Sequence, residues 1–373
     1  MSAFNVVVIG NDSMNTLGVI RSLGENSIAP IAIVSHTGKS CSVTKSKYLK
    51  KFYLTEPSVS SIVDKLLEIG RLFPEKAFLF PCGDFYENII DQNLICLSRY
   101  YVLPNIDMKE NNISVLMNKY DMLSIAKKIK NITIPKTIFL NHMNIDTLEK
   151  EMQDAAIDFP VIIKCGDAFA NGRYISKANN MQHLHELLEQ FGENRIIIQE
   201  FIEKDEELGV QGVSFGNIQK DTYIPGTIHK KRTSVNSIGS TTYAEIHIKS
   251  HGEEIEAARS FIDHIGYSGI FDIEFVRKCD KLYFIECNFR NGAYGYAYTK
   301  AGYNLPLIWM GQQSNSIEEK SMTLMNGFSD VKHVIHNKLN PFKWLIQFFF
   351  ADIHLNFNLR DIRPSIHMFF NKL

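Results

Sequence analysis

The first hundred or so residues alternate between two periodicities, and that alternation limits the fold more than any other feature. "NVVVIG" is an unbroken apolar run of strand length, Asn15 to Leu23 places apolar residues at helical spacing, and "PIAIVS" is apolar again. The order returns with Val59 to Ile69, "AFLFPCGD", Phe85 to Leu97 and "YYVLP". Strands that are apolar on both faces must be covered on both faces, and helical crossovers make them parallel. The sequence therefore predicts a doubly wound α/β domain over residues 1–106. Ligands of such sheets approach the carboxyl ends of strands, where Gly10, Asn11, Asp12, Gly83 and Asp84 fall. The spacing there is not GxGxxG, which argues against a dinucleotide site.

From about residue 107 the pattern changes. A helical stretch contains "MNKYDM", and "FPVIIKCG" is a strand closing on Lys164. The turn "DAFANGRYISK", a helix over Asn180 to Phe191, the strand "RIIIQEFI" and the acidic run "EKDEE" follow. Strands around Val210 to Phe215 and Tyr223 to His229 then lead into the basic "HKKRT" and the small-residue loop "SVNSIGSTT". This is an α+β pattern rather than a second doubly wound domain, and no internal repeat or low-complexity linker interrupts it.

"GIFDIEFVRKCDKLYFIECNFRNG", residues 269–292, reads as a hairpin that sets acids and amides among apolar residues. Side chains at i and i+2 share a strand face, so Asp272 joins Glu274 and Glu286 joins Asn288. With a turn near Asp280, Glu274 and Glu286 face each other, and like charges so placed repel. A cation between them removes the conflict. Few oxygen ligands, with room left for water and phosphate oxygens, suit Mg²⁺ against a nucleotide, with Mn²⁺ as a chemically close substitute. The bland alternative is a hairpin with one solvated acidic face.

Charge and cysteine usage narrow the class. Forty basic against 41 acidic residues give a formal charge of -1, so no nucleic-acid footprint is implied. Cys41, Cys82, Cys96, Cys165, Cys279 and Cys287 form no CxxC pair and read as reduced core thiols, which points to the cytoplasm. "MSAFNVVVIG" lacks the basic start and long apolar stretch of a signal peptide, and no run is long enough to span a membrane.

Taken in order, Lys119, Lys164, the acids at 205–207, Lys230 to Arg232 and the acid hairpin with Arg290 resemble the ATP-grasp superfamily of carboxylate-activating ligases. "MNKYDM", "FPVIIK", "IIIQEFI", "GYSGIFDIEF" and "LYFIECNFRNG" carry the resemblance over about residues 5–310. The opening "VVVIGNDSMNTLGVIRSLG" is similar to that of the D-aspartate ligases that extend peptidoglycan precursors. The resemblance implies a pre-ATP-grasp domain at 1–106, an ATP-grasp domain at 107–315 with a mobile subdomain at about 135–203, and an aromatic-rich extension at 316–373. It makes Lys119 and Lys164 ATP ligands and Gln199, Glu200, Phe201 and Ile202 the hinge against the adenine. Glu206 becomes the ribose carboxylate, in preference to Asp205, and Glu274, Glu286 and Asn288 the metal ligands. Arg290, with Lys231 and Arg232, would stabilise phosphoryl transfer and the acyl-phosphate. Gly166 and Gly172 would let a turn cover the phosphates.

The activity so implied is ATP-dependent formation of an amide bond through an acyl-phosphate, with D-aspartate and a precursor amine as the leading special case. Asn11, Asp12, Asn15 and Arg21 sit where a substrate could approach, and Arg21, Arg173 and Arg290 are candidates for its spare carboxylate. Other readings stay open: a ligase for another amino acid or peptide in capsule or secondary-metabolite synthesis, or a nucleotide-binding regulator without turnover. The tail, "FKWLIQFFFADIHLNFNL" and "IRPSIHMFFNKL", is aromatic and flanked by basic residues. It reads either as an element packed on the protein or in a homodimer interface, or as an interfacial helix touching the membrane.

Overall fold

The computed structural model describes residues 4–38, 41–140, 145–165, 175–191, 195–219, 221–235, 241–312 and 316–372. The chain divides into two compact units: Met1–Ile113 with Leu208–Asp272 and Asn288–Leu373, and Ser114–Glu207 with Ile273–Cys287.

In the first unit, β1 (Val6–Asn11), β2 (Ile31–Ser35), β3 (Lys51–Thr55), β4 (Ala77–Cys82) and β5 (Tyr101–Val102) form a parallel sheet ordered β3-β2-β1-β4-β5. The expected alternation is present. β1 and β2 are buried on both faces because helices cover both: Leu17, Ile20 and Leu23 enter one core, and Ile62, Leu66 and Ile69 the other. Ser13 caps the helix Met14–Gly24 by accepting from the Thr16 amide.

Two departures have local causes. β3 is an edge strand whose Phe52 and Leu54 stay exposed, and its apolar run is only Phe52 to Leu54, flanked by Lys51 and Thr55. The single helix expected from Phe85 to Leu97 is two, Asp84–Gln92 and Leu94–Leu97. Asn93 breaks it, its side-chain amide bonding the Ile89 carbonyl at 2.8 Å in competition with the backbone ladder.

β6 (Asn105–Ile106) pairs with a later strand. In the second unit, β7 (Thr137–Leu140), β8 (Val161–Cys165), β9 (Ile175–Ala178) and β10 (Ile196–Glu200) form an antiparallel sheet ordered β7-β10-β8-β9. The helix Met181–Phe191 covers it through Leu184 and Leu188, which meet Ile163 and Ile198.

The remaining strands are β11 (Glu206–Phe215), β12 (Thr222–Tyr223), β13 (Gly226–Thr233), β14 (Thr241–Ile248), β15 (Tyr267–Lys278), β16 (Lys281–Asn288), β17 (Lys320–Met325) and β18 (Ile353–His354). They build a nine-stranded sheet whose main path is β16-β15-β11-β13-β14-β17-β18, with β12 on β11 and β6 on β15. The expected hairpin is β15–β16, turning at Cys279 and Asp280, and the division between the units falls inside both strands. The helix Glu253–Ile265 ends at Gly266 with φ 66°, a left-handed backbone that an L side chain adopts only with strain.

The tail is held by buried ion pairs. Arg21 is fully buried, donating to Asp361 at 3.1 Å, the Leu355 carbonyl at 3.2 Å and Ser365 Oγ at 3.3 Å. That corrects the expectation that Arg21 is a candidate cation for a substrate: its donors are spent on the tail. Asp12 likewise accepts from the Ser42 and Val43 amides, which gives it a structural task.

Candidate functional site

The second unit carries a charge cluster. Lys119 opens the helix Lys119–Ala126, fixed by Asn118, which caps the Tyr120 amide at 2.9 Å. Its ammonium is ion-paired with Glu286 of β16, both side chains about a quarter exposed. Lys164, near the end of β8, is buried to 8 % exposure. Burial, then the Lys119 charge, pulls its ammonium down to about 8, while Glu286 and Glu274 pull the other way. The carboxylates expected as metal ligands and the lysines expected as phosphate ligands are thus electrostatic neighbours within one unit. Two ammoniums and two carboxylates balance formally, so an added anion such as a phosphate meets the lysines and an added cation the acids.

Among the described residues no three His, Cys, Asp or Glu side chains form a metal-holding group. The two carboxylates, Glu274 and Glu286, suit a cation that completes its shell from water and phosphate oxygens, which is the habit of Mg²⁺.

The segment expected to form the hinge also lies in this unit. Gln199 is buried and donates to Thr137 at 2.9 Å, and Glu200 Oε1 accepts from the Lys136 amide at 2.8 Å. Phe201 is partly exposed with the Lys177 ammonium 3.7 Å from its ring centre, and Ile202 follows it outside regular secondary structure. Asp205 accepts from the Cys279 amide at 2.7 Å and from Lys278 at 3.1 Å, tying the segment to the hairpin turn. Glu206 lies 3.9 Å from Arg277. Its neighbour Glu207, which the sequence reading did not single out, is the more buried acid and pairs with Lys204. The alternation of β11 puts the two glutamates on opposite faces.

The first unit holds a second group. Arg290 donates to Asp84 at 2.7 Å, to Asn288 Oδ1 at 3.3 Å and to the Asn291 carbonyl at 3.3 Å. Asn15 and Asn291 exchange hydrogen bonds of 2.6 Å. Asn288 also donates to the Asp272 carbonyl at 3.4 Å, and a Cβ at Gly292 would meet the ends of the Asp272 and Gln211 side chains, which would have to shift. Glu87 and Asp91, one turn apart on the helix Asp84–Gln92, are wholly buried. Burial, then the charges of Asp91 and Asp84, pushes the Glu87 carboxyl well above the usual range.

The structure separates the two basic candidates of β13. The strand register shifts between Lys230 and Arg232. Lys231 pairs with Glu245 at 3.2 Å, and Glu245 also meets His247. Arg232 grips the fully buried Asp330 with two 2.7 Å bonds, reaches Gln347 at 3.1 Å and lies over the Tyr243 ring. Gly166, Gly172 and Arg173, and residues 236–240 of the "SVNSIGSTT" loop, lie outside the described residues.

The chain has the ATP-grasp fold: a parallel-sheet domain leads into antiparallel sheets, and residues 127–302 match the ATP-grasp domain family. Among solved structures it is similar to N5-carboxyaminoimidazole synthetase from Staphylococcus aureus in complex with ADP, at 16 % identity and a TM-score of 0.66 over 90 % of this chain and 86 % of that one. It is also similar to the biotin carboxylase domain of Hydrogenobacter thermophilus 2-oxoglutarate carboxylase, solved with MgADP and bicarbonate, at 18 % identity and a TM-score of 0.64 over 87 % and 74 %. An L-amino acid ligase from Bacillus licheniformis gives 12 % identity and a TM-score of 0.63 over 87 % and 80 %. No curated protein sequence matches the chain.

Proposed function

We propose that the protein is an ATP-dependent ligase that activates a carboxylate as its acyl-phosphate and passes the acyl group to an amine. The observation that carries this reading is the cluster of Lys119, Lys164, Glu274 and Glu286 in an ATP-grasp domain. Hydroxide is a poor leaving group from a carboxylate. Transfer of the γ-phosphoryl group to a carboxylate oxygen, with ADP leaving, replaces it with phosphate, which the amine then displaces with loss of a proton. Such chemistry needs positioning and charge neutralisation more than a protein nucleophile. Lys119 and Lys164 would hold phosphate oxygens, and Gln199 to Ile202 the adenine. Arg290 would meet the acyl-phosphate oxygens, with Lys231 as the second cation and Arg232 fixing the strand beside it. Glu274, Glu286 and Asn288 would hold Mg²⁺, which supplies charge neutralisation at the phosphates when bound. Glu206 would accept from the ribose.

The narrower reading, D-aspartate joined to a lysine-type amine of a peptidoglycan precursor in the cytoplasm, rests on the opening "GNDSMNTLGVIRSLG". A second reading, bicarbonate as the acid, is favoured by the bicarbonate complex among the similar structures. ADP release should be measured with D- and L-amino acids and bicarbonate, with and without a nucleotide-linked muropeptide, and the acyl group trapped with hydroxylamine. Turnover with an amino acid and amine supports the ligase. Trapping L-aspartate, or none of D-aspartate, L-aspartate and D-asparagine, removes the D-aspartate reading, and bicarbonate-dependent ADP release alone selects the second. We further propose that residues 135–203 close as a subdomain, so that ATP slows hydrogen exchange at Lys164 and 199–206. Slowing confined to residues 1–100 would refute the site.

A further inference from the structure

The helix Pro341–Phe350, "PFKWLIQFFF", has no buried residue. Phe342, Leu345, Ile346, Phe349 and Phe350 recur at three- and four-residue spacing, with Phe342, Phe349 and Phe350 at least 75 % exposed. The opposite side is what anchors the helix: Gln347 accepts from Arg232, Trp344 stacks on Phe348 at 5.1 Å, and Phe348 packs on Gly327 and His354. The apolar stripe is therefore held outward. Leu359 lines a cavity with Phe349, and Ile366, Phe369 and Phe370 of the helix Ile362–Lys372 are also exposed, with Phe369 6.0 Å from Phe328. The cavity, of about 590 Å³, is also lined by Phe357 and Arg360 among others.

The rim is basic although the whole chain is near neutral. Among the described residues from 327 on, the exposed charged side chains are Lys332, Lys338, Lys343, Arg360 and Arg363 against Asp352 alone. Asp330 and Asp361 are buried on Arg232 and Arg21. An outward apolar stripe with a basic border is complementary to an anionic lipid surface. A second copy across a twofold axis would instead set basic rim against basic rim.

We propose that the C-terminal segment 338–370 docks the protein on an anionic phospholipid surface. The stripe from Phe342 to Phe350 enters the acyl boundary, and Lys338, Lys343, Arg360 and Arg363 meet the headgroup phosphates. No described helix is long and apolar enough to cross a membrane, so the contact is peripheral.

The test is flotation of the full chain with vesicles of phosphatidylcholine alone, and of phosphatidylcholine with about one third phosphatidylglycerol. The protein should float with the anionic vesicles only. Phe349→Ser with Phe350→Ser should cut the bound fraction roughly tenfold, and Lys343→Glu should weaken binding most at low salt. Both sites are exposed, so an unchanged thermal midpoint confirms folding. No flotation with anionic vesicles, or equal flotation of the Phe349/Phe350 variant, overturns the proposal. So does a wild-type dimer, seen by sedimentation velocity, that the same variant turns into a monomer.

Discussion

Arg21–Asp361 in the first unit and Lys119–Glu286 in the second are both ion pairs between distant parts of the chain, yet their surroundings are opposite. Arg21 and Asp361 are fully buried, and Asp361 also accepts from Ser46 and the Lys47 amide. Its charge is answered from several sides within the protein. Lys119 and Glu286 are partly open to solvent, with a second carboxylate and a desolvated second ammonium close by. In the first arrangement hydrogen bonds from several sides offset the desolvation of each charge. The second brings like charges together at a cost to the fold, which is the mark of a site organised for something it binds.

The largest test of that contrast is Glu286→Gln. It removes charge but not volume, so the thermal midpoint should stay near wild type while ADP release at saturating Mg²⁺ falls by roughly 10²–10³-fold. Wild-type turnover would refute the assignment, and a collapse in stability alone would make Glu286 a structural acid.

Asp361→Ala should do the reverse. It leaves the Arg21 guanidinium buried without its carboxylate, which costs about 3–5 kcal/mol in chemical denaturation. Replacing both partners with apolar residues of similar volume should recover most of the loss, because neither charge then remains buried. If the double variant is no better than the single one, the loss comes from the pair and its hydrogen bonds themselves rather than from a stranded charge.

Lys164→Met separates the two regions again with a smaller effect. The lysine is desolvated, so an apolar side chain of similar length should leave the midpoint unchanged or raise it slightly, while ATP affinity falls about tenfold. Equilibrium binding of a fluorescent ATP analogue measures the second quantity. Unchanged affinity would take Lys164 out of the nucleotide site.

The same contrast explains what could be read from sequence. β1, β2, β4, β8 and β10 were legible because burial on both faces leaves unbroken apolar runs, and the acid hairpin because charges inside such runs need a cause. β3 is not legible, because its apolar run is only Phe52 to Leu54, between Lys51 and Thr55, at the open edge of the sheet. Asp84 reads from sequence as a residue at the carboxyl end of a strand, and nothing local shows that Arg290, 206 residues further on, engages it. Arg21 was misread for the same reason, its carboxylate partner lying 340 residues away. Local pattern reveals which side chains are out of place, but long-range pairing decides whether they are already satisfied.

The smallest predicted effect concerns an exposed pair that belongs to neither class. The Cys279 amide, then Lys278, holds the Asp205 carboxyl below its ordinary value near 3.8, and Asp205 in turn raises Lys278 above 10.5. A depressed acid stabilises the fold above its unfolded pKa and loses that contribution as the pH falls through the folded value. A raised amine does so below its unfolded pKa and loses it as the pH rises through the folded value. The pair's contribution is therefore flat across neutral pH. Both side chains are well exposed, so water and salt screen most of it. Asp205→Asn should lower the thermal midpoint only slightly between pH 5 and 9, and the difference from wild type should close as the acid is titrated. Nucleotide affinity should not change, since the carboxylate is committed to the hairpin turn. A marked loss of ATP binding in this variant would move the ribose contact from Glu206 to Asp205 and make this surface pair part of the site.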